Sequence, residues 1–180
     1  MKKILIACFF AITFTTFAMP QETQKPTILT DNLCDLLCKE AQKKSEQMGL
    51  DISFAISDAN GLPRLYRRFG EALVLSITLV PNKAYTSAIT QLTTEDLADL
   101  VVEDAALQGI NTADPRITVV TGGFPLFYKG KIIGAIGIGG GTEAQDREIG
   151  EYVLKIFEKH ITNILNSFKN THLNICLLYT

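Results

Sequence analysis

The stretch from Ile149 to Phe168 is the feature that most constrains how this chain can fold. Ile149, Val153, Ile156, Phe157, His160, Ile161, Ile164 and Phe168 recur at helical spacing, so one broad side of a long helix is apolar and must be buried against a sheet. Just ahead of it, Thr142 and Gln145 have the spacing of a capping box, in which each side chain satisfies an orphan backbone amide at the helix start. The helix therefore begins near Thr142 and needs strands beneath it.

Those strands come in two groups. Ile52 to Ser57 reads as a strand, Asp58-Ala59-Asn60-Gly61 as its turn and Arg64 to Phe69 as the return strand, because Asn-Gly accepts the positive φ angles of a tight hairpin. Ile117 to Thr121, Phe124 to Tyr128 and Lys131 to Ile138 form the second group, the last two joined by Lys129-Gly130. Thr30 or Asp31 caps a first helix that runs to about Met48 and ends at Gly49, with Leu33, Leu37, Cys38, Ala41 and Met48 near one stripe. Pro81 suits the first turn of a helix carrying Ala84, Tyr85 and Ala88, and Thr94 caps a further helix from Glu95 to about Leu107. This order indicates an α+β fold with an antiparallel sheet, and 180 residues, 47% of them hydrophobic, suffice for one core.

The chain opens on a targeting pattern. Lys2 and Lys3 precede an apolar run from Ile4 to Phe17, and Thr16-Phe17-Ala18 offers small residues for a cut. That run of about 14 residues falls short of the roughly 20 needed to cross a bilayer. We therefore read 1–18 as a signal peptide, 19–28 as an N-terminal extension, 29–168 as the domain and 169–180 as a tail that extends no pattern, and we expect a periplasmic or secreted protein. Removing 1–18 takes away two lysines and no acid, moving the net charge from −2 to −4. No basic run interleaved with aromatics marks a nucleic-acid surface, and nothing beyond the signal reads as a membrane span or a basic amphipathic helix. Small-molecule ligands and protein partners remain.

Chemistry is sparse along the chain. The glycines from Gly134 to Gly141 match neither a dinucleotide fingerprint nor a P-loop. They make a strand poor in side chains running into a helix N-terminus, where free amides suit a carboxylate or propionate. Equally, they permit close backbone packing, across a subunit interface for instance; both readings stay open. Nucleophile elbows, zinc-protease and Cys-x-x-Cys motifs are absent. Cys34 and Cys38, one helical turn apart, suit two small buried side chains better than a metal site. Asp96 and Asp99, with Glu103 a turn further, share a helix face that reads as solvated and only secondarily as a site for a hard cation such as iron.

Three ordered motifs carry a family resemblance. They are Ile56-Ser57-Asp58 with Gly61, Arg67 or Arg68, Gly70 and Ala72; Lys83-Ala84-Tyr85-Thr86-Ser87-Ala88; and Gly122-Gly123-Phe124-Pro125, Gly130, Gly134-Ala135-Ile136-Gly137-Ile138-Gly139-Gly140 and Asp146. Together the segments resemble the GlcG/HbpS-like haem-binding family, related to the PduO C-terminal domain. Ser57, Phe69, Gly139 and Pro81 depart from its pattern. The resemblance implies a profilin- or PAS-like five-stranded antiparallel sheet flanked by helices, assembled as a homo-oligomer. It further implies haem as the cofactor, with Asp58, Arg67, Arg68, Lys83, Tyr85, Thr86, Gly123, Pro125, Gly137, Gly139 and Asp146 as the ligand-binding set.

Haem needs an axial ligand, an apolar slot and cations for its propionates. His160 is the metal-ligand candidate, although it also suits a hydrogen-bonded core position. His172 lies in the tail, and Tyr66, Tyr85, Tyr128, Cys34 and Cys38 are alternatives. Lys83 needs a carboxylate partner wherever it is buried, expected from Asp58 or from the ligand. The functional expectation is an exported haem or tetrapyrrole binding and sensing protein. The alternative is an enzyme acting on a small carboxylated or tetrapyrrole substrate, such as one that degrades haem, in the same pocket.

Overall fold

The computed structural model describes the backbone of residues 28–177 and the side chains of residues 28–166. The expected signal peptide, nearly all of the 19–28 extension, and the side chains of Phe168, His172 and Cys176 lie outside the described residues. In chain order the elements are α1 (Asp31–Gln47), β1 (Ser53–Asp58), β2 (Pro63–Arg68), α2 (Ser76–Thr90), α3 (Thr94–Leu100), α4 (Ile110–Ala113), β3 (Gly123–Tyr128), β4 (Lys131–Gly139) and α5 (Glu143–Leu177). The strands form one antiparallel sheet in the order β2-β1-β4-β3.

Local signals act as the residues predict at both long helices. Thr30 caps α1 by accepting from the Leu33 amide at 3.2 Å, and Gly49 leaves the helix at φ +67°. At the start of α5, Gln145 Oε1 accepts from the Thr142 amide at 2.9 Å and Thr142 Oγ1 from the Gln145 amide at 3.4 Å. Side chains alternate across the sheet, and the register sorts them by size. Phe54 pairs with Ile138, and Ile56 with Ile136, which faces Phe124; these meet Leu33, Leu37, Ile149, Val153 and Phe157 of α1 and α5 in the main core. The opposite face carries Ser53, Ala55 and Ser57 against Gly139, Gly137 and Ala135, and α2 covers it.

Three expectations need correction. Among the described residues four strands form the sheet where five were expected: Ile117 to Thr121 does not pair. Its backbone turns to side chains instead, with the Thr118 amide donating to Thr86 Oγ1 at 3.0 Å and the Val120 amide to Thr118 Oγ1 at 3.3 Å, and Gly122 at φ +124° then turns the chain into β3. Pro81 lies inside α2, not in its first turn, since the helix starts at Ser76. A proline there leaves the Ile77 carbonyl without a helical donor, and Ile77 is 52% exposed, within reach of water. Thr93, not Thr94, caps α3, which stops at Leu100, so Glu103 is not on the helix of Asp96 and Asp99.

Candidate functional site

Glycine on β4 brings α2 down onto the sheet backbone. A Cβ on Gly137 would lie 2.3 Å from the Val80 carbonyl oxygen and 2.9 Å from the Ala84 amide nitrogen; one on Gly123 would lie 2.6 Å from the Lys83 carbonyl oxygen. Gly134 faces the other way, toward Leu29. The chain's own elements therefore occupy the space at Gly134, Gly137 and Gly139. These glycines do not furnish a subunit surface, contrary to the reading that left that role open to them.

This close approach places Lys83 beyond the end of β4, where it meets α5. Its ammonium donates to the Ile138 carbonyl at 2.7 Å and to Asp146 Oδ2 at 2.8 Å, and the two side chains are 1% and 5% exposed. Asp146 Oδ1 accepts from the Gly141 amide at 3.1 Å. Burial pushes the Asp146 carboxyl up, while the Lys83 charge and the Lys83 and Gly141 hydrogen bonds pull the other way. The partner of Lys83 is thus Asp146 and not Asp58, so the pairing does not require a ligand carboxylate. Nor is the glycine loop a free anion cradle, because its Gly141 and Thr142 amides are taken by Asp146 and Gln145.

Two small cavities flank α2. One of about 180 Å³ has Lys83, Asp146 and Gly139 to Gly141 on one side and Leu73, Leu79, Val80 and Val120 around it. The other, about 210 Å³ and mainly apolar, lies between α2 and the hairpin, lined by Tyr66, Leu65, Ile77 and Pro81 among others. Beside it runs a chain of hydroxyls. Ser76 Oγ donates to the Leu73 carbonyl, so Ser53 donates to Ser76 at 2.6 Å and Tyr66 to Ser53 at 3.2 Å, which leaves the Tyr66 oxygen free to accept.

The remaining expected site residues are scattered. Asp58 pairs with Gly134 at the far end of β1, roughly 17 Å along the strand from Ser53, where it accepts from the Asn60 and Leu62 amides of its own turn. Tyr85 and Thr86 tie α2 to the 114–118 segment: Tyr85 donates to Asp114 Oδ2 at 2.6 Å under the stacked Arg116 guanidinium, and Thr86 accepts from Thr118. Pro125 is on edge strand β3 beside Ala135.

On edge strand β2, Arg68 donates to the Ala72 carbonyl at 2.7 Å on the α2 side, whereas Arg67 stacks on Phe69. His160 is half-buried on α5, fourteen residues and roughly 21 Å along the helix from Asp146. Cys34 and Cys38 are buried in the main core. Burial pushes both thiols up, Cys38 to about 11, so neither offers a thiolate. Asp96 serves the α3 cap, and among the described residues no group of three His, Cys, Asp or Glu side chains is placed to hold a metal.

Sequence reasoning missed the apolar surface beside the cavities. Leu73, Val74 and Leu75 are 67%, 73% and 67% exposed. A run of consecutive apolar residues outside any expected element was the available signal.

A single antiparallel sheet with a large-residue core on one face and a glycine-seated helix flanked by small cavities on the other defines an α+β class. The chain belongs to the family described as "Haem degrading protein HbpS-like", which matches residues 29–155. It is 31% identical over 139 residues to an uncharacterized 15.0 kDa protein encoded in the dhaT-dhaS intergenic region of Citrobacter freundii, covering 77% of this chain and 98% of that one. Over 153 residues it is 29% identical to the corrinoid adenosyltransferase PduO of Salmonella typhimurium, 83% of this chain but only 43% of PduO. The crystal structure of a PduOC:heme complex superimposes with a TM-score of 0.68 at 30% identity, covering 71% of this chain and 93% of PduOC.

Proposed function

We propose that this chain is an exported haem- or tetrapyrrole-binding protein that holds its ligand against the apolar flank at the start of α2, closed over by a second copy. The observation that carries the reading is the exposure of Leu73, Val74, Leu75 and Ile77 together between the two cavities, since apolar patches left in solvent mark interaction surfaces. The family match and the haem complex of the similar PduOC support haem as the ligand. Haem supplies a flat apolar macrocycle, an iron with axial positions and two carboxylates.

The residues present fit a haem laid on the surface and not one enclosed by a single chain. Cavities of about 210 and 180 Å³ are smaller than the roughly 300 Å³ at which sites for drug-sized ligands begin. Tyr66 would supply the axial oxygen, because its proton is committed to Ser53. Arg68, on the same side of β2, would meet a propionate.

Haemin titration tests this. A saturable Soret shift is expected, weakened tenfold or more by Tyr66→Phe and by Leu75→Glu, with light scattering showing at least a dimer at micromolar concentration. Absence of a saturable shift would overturn the ligand, and a monomer in the haem-bound state would overturn the closure. Intact-mass measurement of exported protein should show a start after about Ala18; a retained Met1 would remove export from the proposal.

A further inference from the structure

The geometry points to a second ligand site, beside the proposed haem flank and sharing Leu73 and Leu75 with it: the cavity of about 180 Å³ above the Lys83–Asp146 pair binds a small neutral molecule with a branched apolar body and one hydroxyl or carboxamide head. The pair is not saturated. An ammonium has three donors, and Lys83 uses two, on Ile138 and Asp146. A carboxylate has about four acceptor positions, and Asp146 uses two, for Lys83 and Gly141. One donor and spare acceptor capacity thus remain side by side at the cavity wall.

Glycine lets this wall pack closely around the pair. A Cβ on Gly139 would lie 2.5 Å from Val80 Cγ2 and 3.4 Å from Lys83 Nζ, and one on Gly141 would lie 2.8 Å from Gln145 Cβ and 3.4 Å from Asp146 Oδ1. A head group that both accepts and donates, as a hydroxyl does, completes the two partners at once.

Charge selects among head groups. Within the lining, Lys83 is offset by Asp146, and Glu143 adds a further negative charge. A carboxylate would enter against that balance. An ammonium suits the negative balance but has no acceptor, so it leaves the spare Lys83 donor unpaired. The body is set by the walls, where Leu73, Leu79, Val80 and Val120 favour branched apolar surface. About 180 Å³ is the share of roughly six waters, which limits the occupant to about six to eight non-hydrogen atoms.

Three probes of one shape separate the possibilities: 3-methyl-1-butanol, 3-methylbutanoate and 3-methylbutylammonium, each titrated into the haem-free protein with backbone amide shifts as readout. The alcohol is expected to shift Val120 and Gly139 to Gly141 saturably, at least tenfold tighter than either ion. Val120→Trp fills the mouth from a surface position and should abolish those shifts while leaving the fold intact. Lys83→Met should abolish them too, provided its amide spectrum remains that of a folded protein. The proposal is overturned if the alcohol gives no saturable shift, if either ion binds as tightly, or if Val120→Trp leaves the shifts unchanged. Because haemin is absent throughout, failure here does not touch the haem reading.

Discussion

On the α1–α5 side the strands present Phe54, Ile56, Phe124, Leu126, Ile136 and Ile138; on the α2 side the same strands present Ser53, Ala55, Ser57, Gly123, Ala135, Gly137 and Gly139. The first face is held by apolar volume, which can shift a rotamer when a methyl is lost. The second is held by backbone lying on backbone, which has nothing to give. Its buried charge is paired, Lys83 with Asp146, whereas the buried Ser87 hydroxyl on the same helix has no partner. Both cavities adjoin α2, because a helix seated on glycine leaves gaps at its flanks that large side chains fill on the other face.

The severest way to break this comparison is Lys83→Met. Removing one partner of a buried pair strands the other, so unfolding in denaturant should show a loss of about 3–5 kcal/mol. That is the reverse of what a residue serving ligand binding alone would do, and a loss below about 1 kcal/mol would mean the exposed-pair range applies. Next comes Gly137→Ala. Its new Cβ would meet the Val80 carbonyl at 2.3 Å, and backbone cannot swing aside, so the overpacking range of about 1–3 kcal/mol or more applies.

Ile136→Val, one position away on the volume-held face, should lose only about 0.5–1.5 kcal/mol. If adding a methyl at Gly137 proves milder than removing one at Ile136, the two faces do not differ as described.

Acid sharpens the contrast most gently. The Arg116 guanidinium and the Tyr85 hydroxyl hold the half-buried Asp114 carboxyl well below its usual range, whereas burial raises Asp146. With Asp114 the folded value is the lower one, so its contribution to stability is present above the ordinary 3.8 and is lost as pH falls through the folded value. For Asp146 the folded value is the higher one. Its contribution is therefore present below 3.8 and is lost as pH rises through the folded value. Carboxyl NMR should find Asp114 titrating below 3.8 and Asp146 above it; the opposite order would show that the Lys83 charge outweighs burial.

Much of the fold is legible in the residues because it rests on neighbours in sequence. The α1 cap at Thr30, the Asn60-Gly61 hairpin and the Thr142–Gln145 box each close hydrogen bonds within a turn, and the α5 stripe announces its own burial. Ile117 to Thr121 misled because its alternation is that of a strand, while the Thr118 amide is claimed by Thr86, thirty-two residues upstream, and the Ile117 and Val120 amides by Asp114 and Thr118. Pro81 misled in the same way: nothing local shows that Ser76 to Val80 prolongs the helix ahead of it. Of the expected site, Lys83, Gly139 and Asp146 gather at one cavity, while Asp58, Tyr85 and Thr86 serve turns and latches elsewhere.

By itself the sequence determined the family, the α+β class, the helix caps and the hairpin, because motif order, periodicity and short-range hydrogen bonding are properties of the chain as written. Only the tertiary structure decided which carboxylate Lys83 meets, which glycines are covered and where apolar surface stays in solvent. The Lys83–Asp146 contact joins residues 63 positions apart, and a pairing of that kind is selected by the packing of α2 on the sheet, not by anything either residue carries in its neighbourhood.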